Sequence, residues 1–393
     1  MACYSVCKVN AISVATDNRG FYIPNVNSEL CISCGKCNTV CPSLKELNTS
    51  NCLSHFQQQT FACWHKDENL RMESTSGGVF SGLAGYVLSK QGVVFGVKFD
   101  ENFRAVHAEA DNLEQLKYFR GSKYVQSYVG DVYKTVKQRL ENNISVLFTG
   151  TPCQNAGLRS FLGKEYDNLI TVDFICHSVP SPLVFNDYIG YIRKTIDTDI
   201  VEINFRYKKP SWTVYSMKID FSNHQSYIAD YFTDPYLIGF SRDYLSRDCC
   251  HECKYTKLDR QSDITIADFW GYISDDRKYR NNEKGISLVL INSKKGNKIF
   301  SAISDAYVVR QKSIQEAMKN KCLYTSYKKN PLSDDFWKEY LEHRDFEVVK
   351  NKYFYKRKGS LKHRLSRLID DYSFLMPKRF RKFYERLKDG IKS

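Results

Sequence analysis

Apolar residues gather in short runs separated by longer segments of helical period, and this alternation predicts a mixed α/β chain. Residues 61–64 read as a strand. After a polar turn, Ser76-Gly77-Gly78 opens a helix to about Lys90, with Val79, Phe80, Leu83, Tyr86 and Val87 on one face. Residues 92–97, 144–148 and 169–175 are largely apolar and read as buried strands. The second enters the turn Thr149-Gly150-Thr151-Pro152-Cys153 and a helix through Leu162, and the third ends at Cys176-His177. Residues 264–267 and 286–291 add two more buried strands, so the expected body is a mixed sheet with helices.

Other stretches read differently. Residues 201–205 and 215–221 alternate apolar and polar positions, as antiparallel strands with one wet face do. Gly20-Phe21-Tyr22-Ile23-Pro24 is a short strand and turn, and residues 43–60, rich in Ser, Asn and Gln, form a linker. Beyond about residue 330 the chain is helical and polar, and no long period recurs, which excludes a solenoid. Three units follow: 1–46, 60–330 and a helical extension over 331–393.

Cysteine sharpens the first unit. Cys31, Cys34, Cys37 and Cys41 stand in C-I-S-C-G-K-C-N-T-V-C-P, the bacterial ferredoxin spacing for a 4Fe–4S cluster. Two-residue gaps let one loop wrap three corners of a cubane, and Pro42 turns the chain away. Zinc usually takes two separated Cys pairs, so it is the weaker reading. In two-cluster ferredoxins the fourth Cys of each run serves the other cluster. Cys3 and Cys7 look like the end of an earlier run, so Cys31, Cys34, Cys37 and Cys7 complete one cluster. Cys3 and Cys41 supply half of a second. The spacing leads us to expect a start at an internal methionine, with roughly ten residues missing upstream.

Size and composition narrow the class. A chain of 393 residues with 42% hydrophobic and 14% aromatic content supports a packed core of more than one domain. Fourteen Cys without a secretory leader point to a reducing, cytoplasmic compartment rather than a disulfide scaffold. No apolar run reaches spanning length. Of the formal charge of +14, residues 350–393 carry +11, from 15 Lys and Arg against Asp370, Asp371, Glu385 and Asp389. Basicity therefore belongs to the tail, and the body does not read as a nucleic-acid binder. In that tail Leu361, Leu365, Leu368, Ile369, Tyr372 and Leu375 share a helical face, and Phe380, Phe383, Tyr384, Leu387 and Ile391 repeat it after Pro377. Such basic amphipathic helices suit peripheral contact with an anionic membrane, an acidic partner, or plain packing on the body.

Several constellations in the body can carry chemistry. Cys153, Cys176 and the pair Cys250 and Cys253 sit at strand ends or in polar loops, where they could hold a further cluster, with Cys249 as a substitute for Cys250. Cys52, Cys63 and Cys322 lack partners at ligand spacing and read as structural. Ser74-Thr75-Ser76-Gly77-Gly78 offers hydroxyls and free amides to a phosphate, or simply caps its helix. Arg120-Gly121-Ser122-Lys123 adds cations for an anion contact. Neither a G-x-G-x-x-G nor a P-loop is present. His177, Asp263 and Asp268 are acid–base candidates, though each Asp could cap a turn and His177 could be a hydrogen-bond donor to neighbouring groups.

Taken together, S-T-S-G-G-V-F-S (74–81), G-V-V-F-G-V (92–97), G-S-K-Y-V-Q-S (121–127), F-T-G-T-P-C-Q-N-A-G-L (148–158), D-F-I-C-H-S-V-P-S-P (173–182) and the segment 250–271 resemble the coenzyme F420 hydrogenase/dehydrogenase beta-subunit family. The N-terminal unit resembles the ferredoxin module of longer members. The resemblance implies an iron–sulfur flavoprotein with non-covalent FAD that exchanges hydride with a small organic substrate and electrons with a ferredoxin or other redox partner protein. It implies a cluster on Cys153, Cys176, Cys250 and Cys253, and flavin contacts at Ser76, Gly77, Gly78, Ser122, Lys123, Thr149, Gly150 and Thr151. His177 and Asp268 are the catalytic candidates. The deazaflavin coenzyme does not follow, because chains resembling this one also accompany surface-polysaccharide enzymes. The competing expectation is a non-catalytic adaptor that carries clusters only and docks a partner enzyme.

Overall fold

The computed structural model describes residues 1–44, 56–272 and 284–355. Its N-terminal hairpin pairs β1 (Ile12–Thr16) with β2 (Tyr22–Val26). The body holds β3 (Gln59–His65), β4 (Val93–Phe99), β5 (Ala105–Ala110), β6 (Val146–Gly150) and β7 (Leu169–Phe174). It continues through β8 (Ile200–Tyr207), β9 (Ser216–Phe221), β10 (Ser226–Asp230), β11 (Ile264–Asp268), β12 (Ser287–Ile291) and β13 (Tyr307–Lys312). Eight strands form one sheet in the order β13-β3-β12-β11-β7-β6-β4-β5.

The four central strands β4, β6, β7 and β11 are parallel, and antiparallel neighbours close both edges. Val94, Val146, Leu147, Phe148 and Ile264 are almost fully buried, as expected of parallel strands covered on both faces. Helices Val79–Ser89, Val132–Glu141, Pro152–Leu162 and Lys294–Ile303 cover the sheet. Parallel strands send their C-terminal ends to one edge of the sheet, and ligands of open α/β folds bind there. The loops after β6 and β7 and the end of β11 meet at that edge.

A second core lies beside the sheet. Helix Pro182–Ile196 packs on the antiparallel β8-β9-β10 sheet and on helices Pro235–Ser241 and Ser333–His343. The alternation at 201–205 and 215–221 is thus realised, with Ile203, Phe205, Ile219 and Phe221 facing in. The helix expected beyond residue 330 contributes Phe336, Trp337 and Tyr340, all essentially buried, to this core. Most of the 43–60 linker and the amphipathic tail helices lie outside the described residues. No helix among the described residues is long and apolar enough to cross a membrane.

Asp234 makes this core pH-sensitive. It caps helix Pro235–Ser241 through the Leu237 amide and accepts the hydroxyls of Tyr188 (2.8 Å) and Tyr227 (3.0 Å). Burial raises its carboxyl to about 6, although those hydrogen bonds pull it down. A folded pKa above the unfolded one means that the native state holds the extra proton. Its contribution is complete below about pH 4 and is lost as pH rises through 6, a change of about 3 kcal/mol. Urea unfolding of Asp234→Asn across that window should lack this decline; an unchanged profile would remove Asp234 as its source.

Candidate functional site

A cavity of about 860 Å³ opens at the C-terminal edge of the parallel strands. That is within the size range of cofactor pockets. Ser76, Gly78, Ser122, Lys123, Thr149, Gly150 and Thr151 line it, as do His177 and Asp268. Cys153, Cys176 and Cys250 line it too, joined by Cys249, Cys322 and, from the N-terminal module, Cys3 and Cys41. Gly77, Cys7, Cys31, Cys34, Cys37 and Cys253 are not on its wall.

The glycine-rich turn is built for close approach. Gly78 takes a left-handed φ of 89° at the start of helix Val79–Ser89, so glycine rather than serine occupies the cap. Gly77 donates its amide to Ser287 Oγ (2.9 Å), and a Cβ there would stand 2.3 Å from the Cys63 carbonyl. Ser76 Oγ donates to the Ile286 carbonyl. The turn is therefore stitched to β12, leaving Ser74, Thr75 and the Gly78 edge toward the cavity. Opposite, Ser122 donates its amide to Thr75 Oγ1, and the two hydroxyls lie 3.2 Å apart. Lys123 lines the wall, but its ammonium donates to the carbonyls of Tyr118, Arg120 and Gly121, a loop-fixing role.

Beyond β6, Thr151 forms a reciprocal capping box with Gln154, and Pro152 begins the helix. This fixes the turn that presents Gly150, Thr151 and Cys153. Thr149 Oγ1 donates to the Phe95 carbonyl, and Thr151 Oγ1 lies 3.1 Å from Cys153 Sγ. Cys176 follows β7, and Cys250 ends the turn Asp248–Cys250. Cys253 lies close enough for its charge to act on Cys153 and Cys176. The contact between the adjacent thiols of Cys249 and Cys250 lowers Cys249 and pushes Cys250 up. All these cysteines are free thiols. Among the described residues, no three of them stand together at metal-ligand spacing.

In the N-terminal module, Cys31 and Cys34 are exposed, and Cys37 opens toward solvent on helix Lys36–Thr39. Ser33 and Gly35 both have left-handed φ, 53° and 70°, so the loop turns sharply between its thiols. Nothing lies within 4 Å of a Cβ at Gly35, so the glycine serves backbone conformation. Three thiols on such a loop suit the donor chemistry of a 4Fe–4S cluster whose fourth ligand comes from outside the loop.

Residues passed over in the sequence complete the cavity. Arg206 on β8 is almost fully buried, 3.8 Å from the Tyr215 ring centroid and 5.2 Å from that of Trp270. Its Nη2 meets Asp268 at 3.1 Å and its Nη1 donates to Tyr124 Oη, while Nε has no hydrogen-bond partner. Asp268 also accepts from Trp212 Nε1 at 2.8 Å, so its carboxylate is committed to two partners. His177 Nε2 meets Asp243 Oδ1 at 2.9 Å, and Nδ1 lies 3.9 Å from Cys322 Sγ. Burial opposes charge on His177, but Asp243 and Cys322 raise its pKa to about 9. Asp263, the third acid–base candidate, is a buried anchor that accepts from Thr171 and Ser293. No local spacing joins Arg206 to Asp268 or His177 to Cys322; only the tertiary fold does.

The N-terminal module is clamped to the same region. Arg19 Nη1 is 3.1 Å from both Asp248 carboxylate oxygens, just before Cys249. Tyr22 exchanges two hydrogen bonds with the Gln126 side chain. Tyr255 Oη donates to the Pro42 carbonyl (2.9 Å) and Lys254 Nζ to that of Ser43 (2.8 Å). The segment carrying Cys249, Cys250 and Cys253 thus touches the end of the N-terminal Cys run directly.

Comparison with known proteins agrees with this two-part organisation. Residues 1–44 match the family model of the 4Fe-4S dicluster domain. Residues 144–317 match the family model for the C terminus of the coenzyme F420 hydrogenase/dehydrogenase beta subunit. The chain thus carries a stretch similar to a dicluster domain and, further on, one similar to the C-terminal domain of that beta-subunit family, a combination that points to iron–sulfur electron transfer of the oxidoreductase type. Among solved structures it is similar to the F420-reducing NiFe hydrogenase complex from Methanosarcina barkeri, solved with xenon. Identity is 18%, with 77% of this chain and 94% of that chain covered, at a TM-score of 0.43. No curated protein matches.

Proposed function

We propose that the chain is an iron–sulfur flavoprotein oxidoreductase acting on a small organic substrate. One observation carries this reading: a single cavity is lined by thiols of both modules and by the loops at the ends of the parallel strands. Cys31, Cys34, Cys37 and Cys7 would hold one N-terminal cluster, with Cys3 and Cys41 contributing to a second. Cys153, Cys176, Cys250 and Cys253 would hold a cluster in the body. Ser76, Gly78, Ser122 and the 149–151 turn would hold FAD. When bound, the clusters carry electrons singly and FAD exchanges one or two, which suits an organic substrate reacting by hydride.

The chain's own residues define the rest of the pocket. Arg206, walled by Tyr215 and Trp270, offers its Nε–H to a substrate oxygen. Phe240 and Tyr327 flank His177 and limit water around it. With Asp268 tied to Arg206 and Trp212, His177 is the group placed to hold a proton, oriented through Nε2 by Asp243. A ferredoxin or other redox protein is the expected partner at the exposed Cys31 and Cys34 face.

Ser122→Glu tests the flavin assignment. A carboxylate on that wall should lower bound FAD about tenfold, equivalent to about 1.4 kcal/mol, with iron content unchanged. Equal FAD content in the variant and the parent would contradict the placement.

A further inference from the structure

We propose that the Arg206 corner of the cavity is an anion subsite, and that the substrate is a small carboxylic acid with a flat apolar body, held there by its carboxylate. That the carboxylate is the substrate's rests on the oxidoreductase reading of this cavity.

Arg206 is 4% exposed and lines the cavity. Its Nη2 lies 3.1 Å from Asp268 Oδ2, yet neither Nη2 nor Nε has an aligned hydrogen-bond acceptor. The Nε–Nη2 edge of a guanidinium presents parallel N–H groups at the spacing that a carboxylate accepts bidentately. A buried donor left without an acceptor costs about 1–3 kcal/mol, so its retention at a cavity wall points to a ligand. The guanidinium is also fixed in place. Nη1 donates to Tyr124 Oη at 3.3 Å, and the rings of Tyr215 and Trp270 stand 3.8 Å and 5.2 Å from its carbon. Trp270 stacks on Trp212, with centroids 5.0 Å apart and planes 11° from parallel, and Trp212 holds Asp268. A fork fixed in this way loses little freedom when it binds.

Charge argues in the same direction. Lys208, two residues along the chain, is 5% exposed, and its ammonium donates to the carbonyls of Arg71, Ser76 and Lys284. Those carbonyls satisfy its donors but do not neutralise its charge. Burial pulls Lys208 down to about 7, with Asp268 opposing the shift and Arg206 adding to it. Asp268 is thus one carboxylate shared between two buried cations, and a monoanion beside Arg206 would restore the balance. Tyr215, Trp270 and Phe240 line the same cavity, so a flat apolar body fits next to the carboxylate. A phosphate would bring a second charge that this corner does not match.

The test is isothermal titration of the full chain, purified without air, with benzoate, with its uncharged isostere benzamide, and with inorganic phosphate. Benzoate should bind the parent about tenfold tighter than either of the others. Arg206→Lys keeps the charge and loses the fork, so it should weaken benzoate about tenfold while FAD content stays at the parent's level. If that variant does not fold, the ratio of benzoate to benzamide affinity in the parent still decides. Equal affinities for those two probes, or unchanged benzoate binding in the variant, would overturn the subsite. Phosphate binding tighter than benzoate, or loss of FAD from a folded Arg206→Lys, would also overturn it, by giving the corner to the phosphates of the cofactor. A parent that lacks FAD yet prefers benzoate would support the subsite and overturn the oxidoreductase reading instead.

Discussion

Serine at Cys31, Cys34 and Cys37 together is expected to remove the iron of the N-terminal module, about four atoms per chain, while the body stays folded. Cys31 and Cys34 are exposed, and none of the three belongs to a buried core. Exposed substitutions usually change stability by less than about 0.5 kcal/mol, so the polypeptide itself loses little. A ligand role predicts a large change in iron and visible absorption against a small change in the circular dichroism of the body. The measurement is iron and acid-labile sulfide in anaerobically purified protein, beside that spectrum. Unchanged iron, or zinc in its place, would contradict the ferredoxin reading of the run.

The second large effect is expected at Gly20. Its φ of +79° is left-handed, and a Cβ there would fall 2.3 Å from the Leu183 Cβ. Helix Pro182–Ile196, which carries Leu183, belongs to the second core and cannot retreat freely. Gly20→Val therefore adds backbone strain to a direct clash, a cost of about 4 kcal/mol to docking of the module. The neighbouring contacts from Arg19 to Asp248 and from Tyr22 to Gln126 should break with it. Hydrogen exchange at the Tyr22 amide, which donates to Gln126 Oε1, should accelerate by roughly 10³-fold, while the module keeps its iron. Protection equal to the parent would mean that Gly20 does not govern docking. Electron delivery into the body should slow in step, because the clamp places Cys3 and Cys41 on the shared cavity.

Much of the sheet was legible because its strands are buried on both faces. The runs at 144–148, 169–175, 264–267 and 286–291 coincide with β6, β7, β11 and β12 within a residue or two. The turn after β6 was legible too, since Thr151-Pro152 followed by Gln154 is a helix start with a local mechanism. By contrast, β5 carries Ala105, Ala108 and Ala110 with His107 and Glu109, a sequence of weak strand preference. It is strand because β4 offers it a partner edge.

The site divides along the same line. Clustered cysteines announce themselves by spacing, but the charged and aromatic walls do not. Arg206 meets Asp268 across two sheets, and Cys322, read as structural from its isolation, lies 3.9 Å from His177. Lys123 shows the opposite difficulty. A cation in a glycine loop suggests an anion contact, yet here the ammonium satisfies three carbonyls of its own turn. Sequence reveals which donors are present, and only packing decides which remain free for a ligand.

The most direct test of the central claim is a joint count of iron, acid-labile sulfide and FAD in the full chain purified without air. The account predicts a brown protein with about four iron and four sulfide for each cluster, visible absorption that bleaches on reduction, and FAD released on denaturation. Clusters without flavin would contradict the oxidoreductase reading and leave an electron-transfer adaptor. Zinc with no visible absorption would contradict the account altogether.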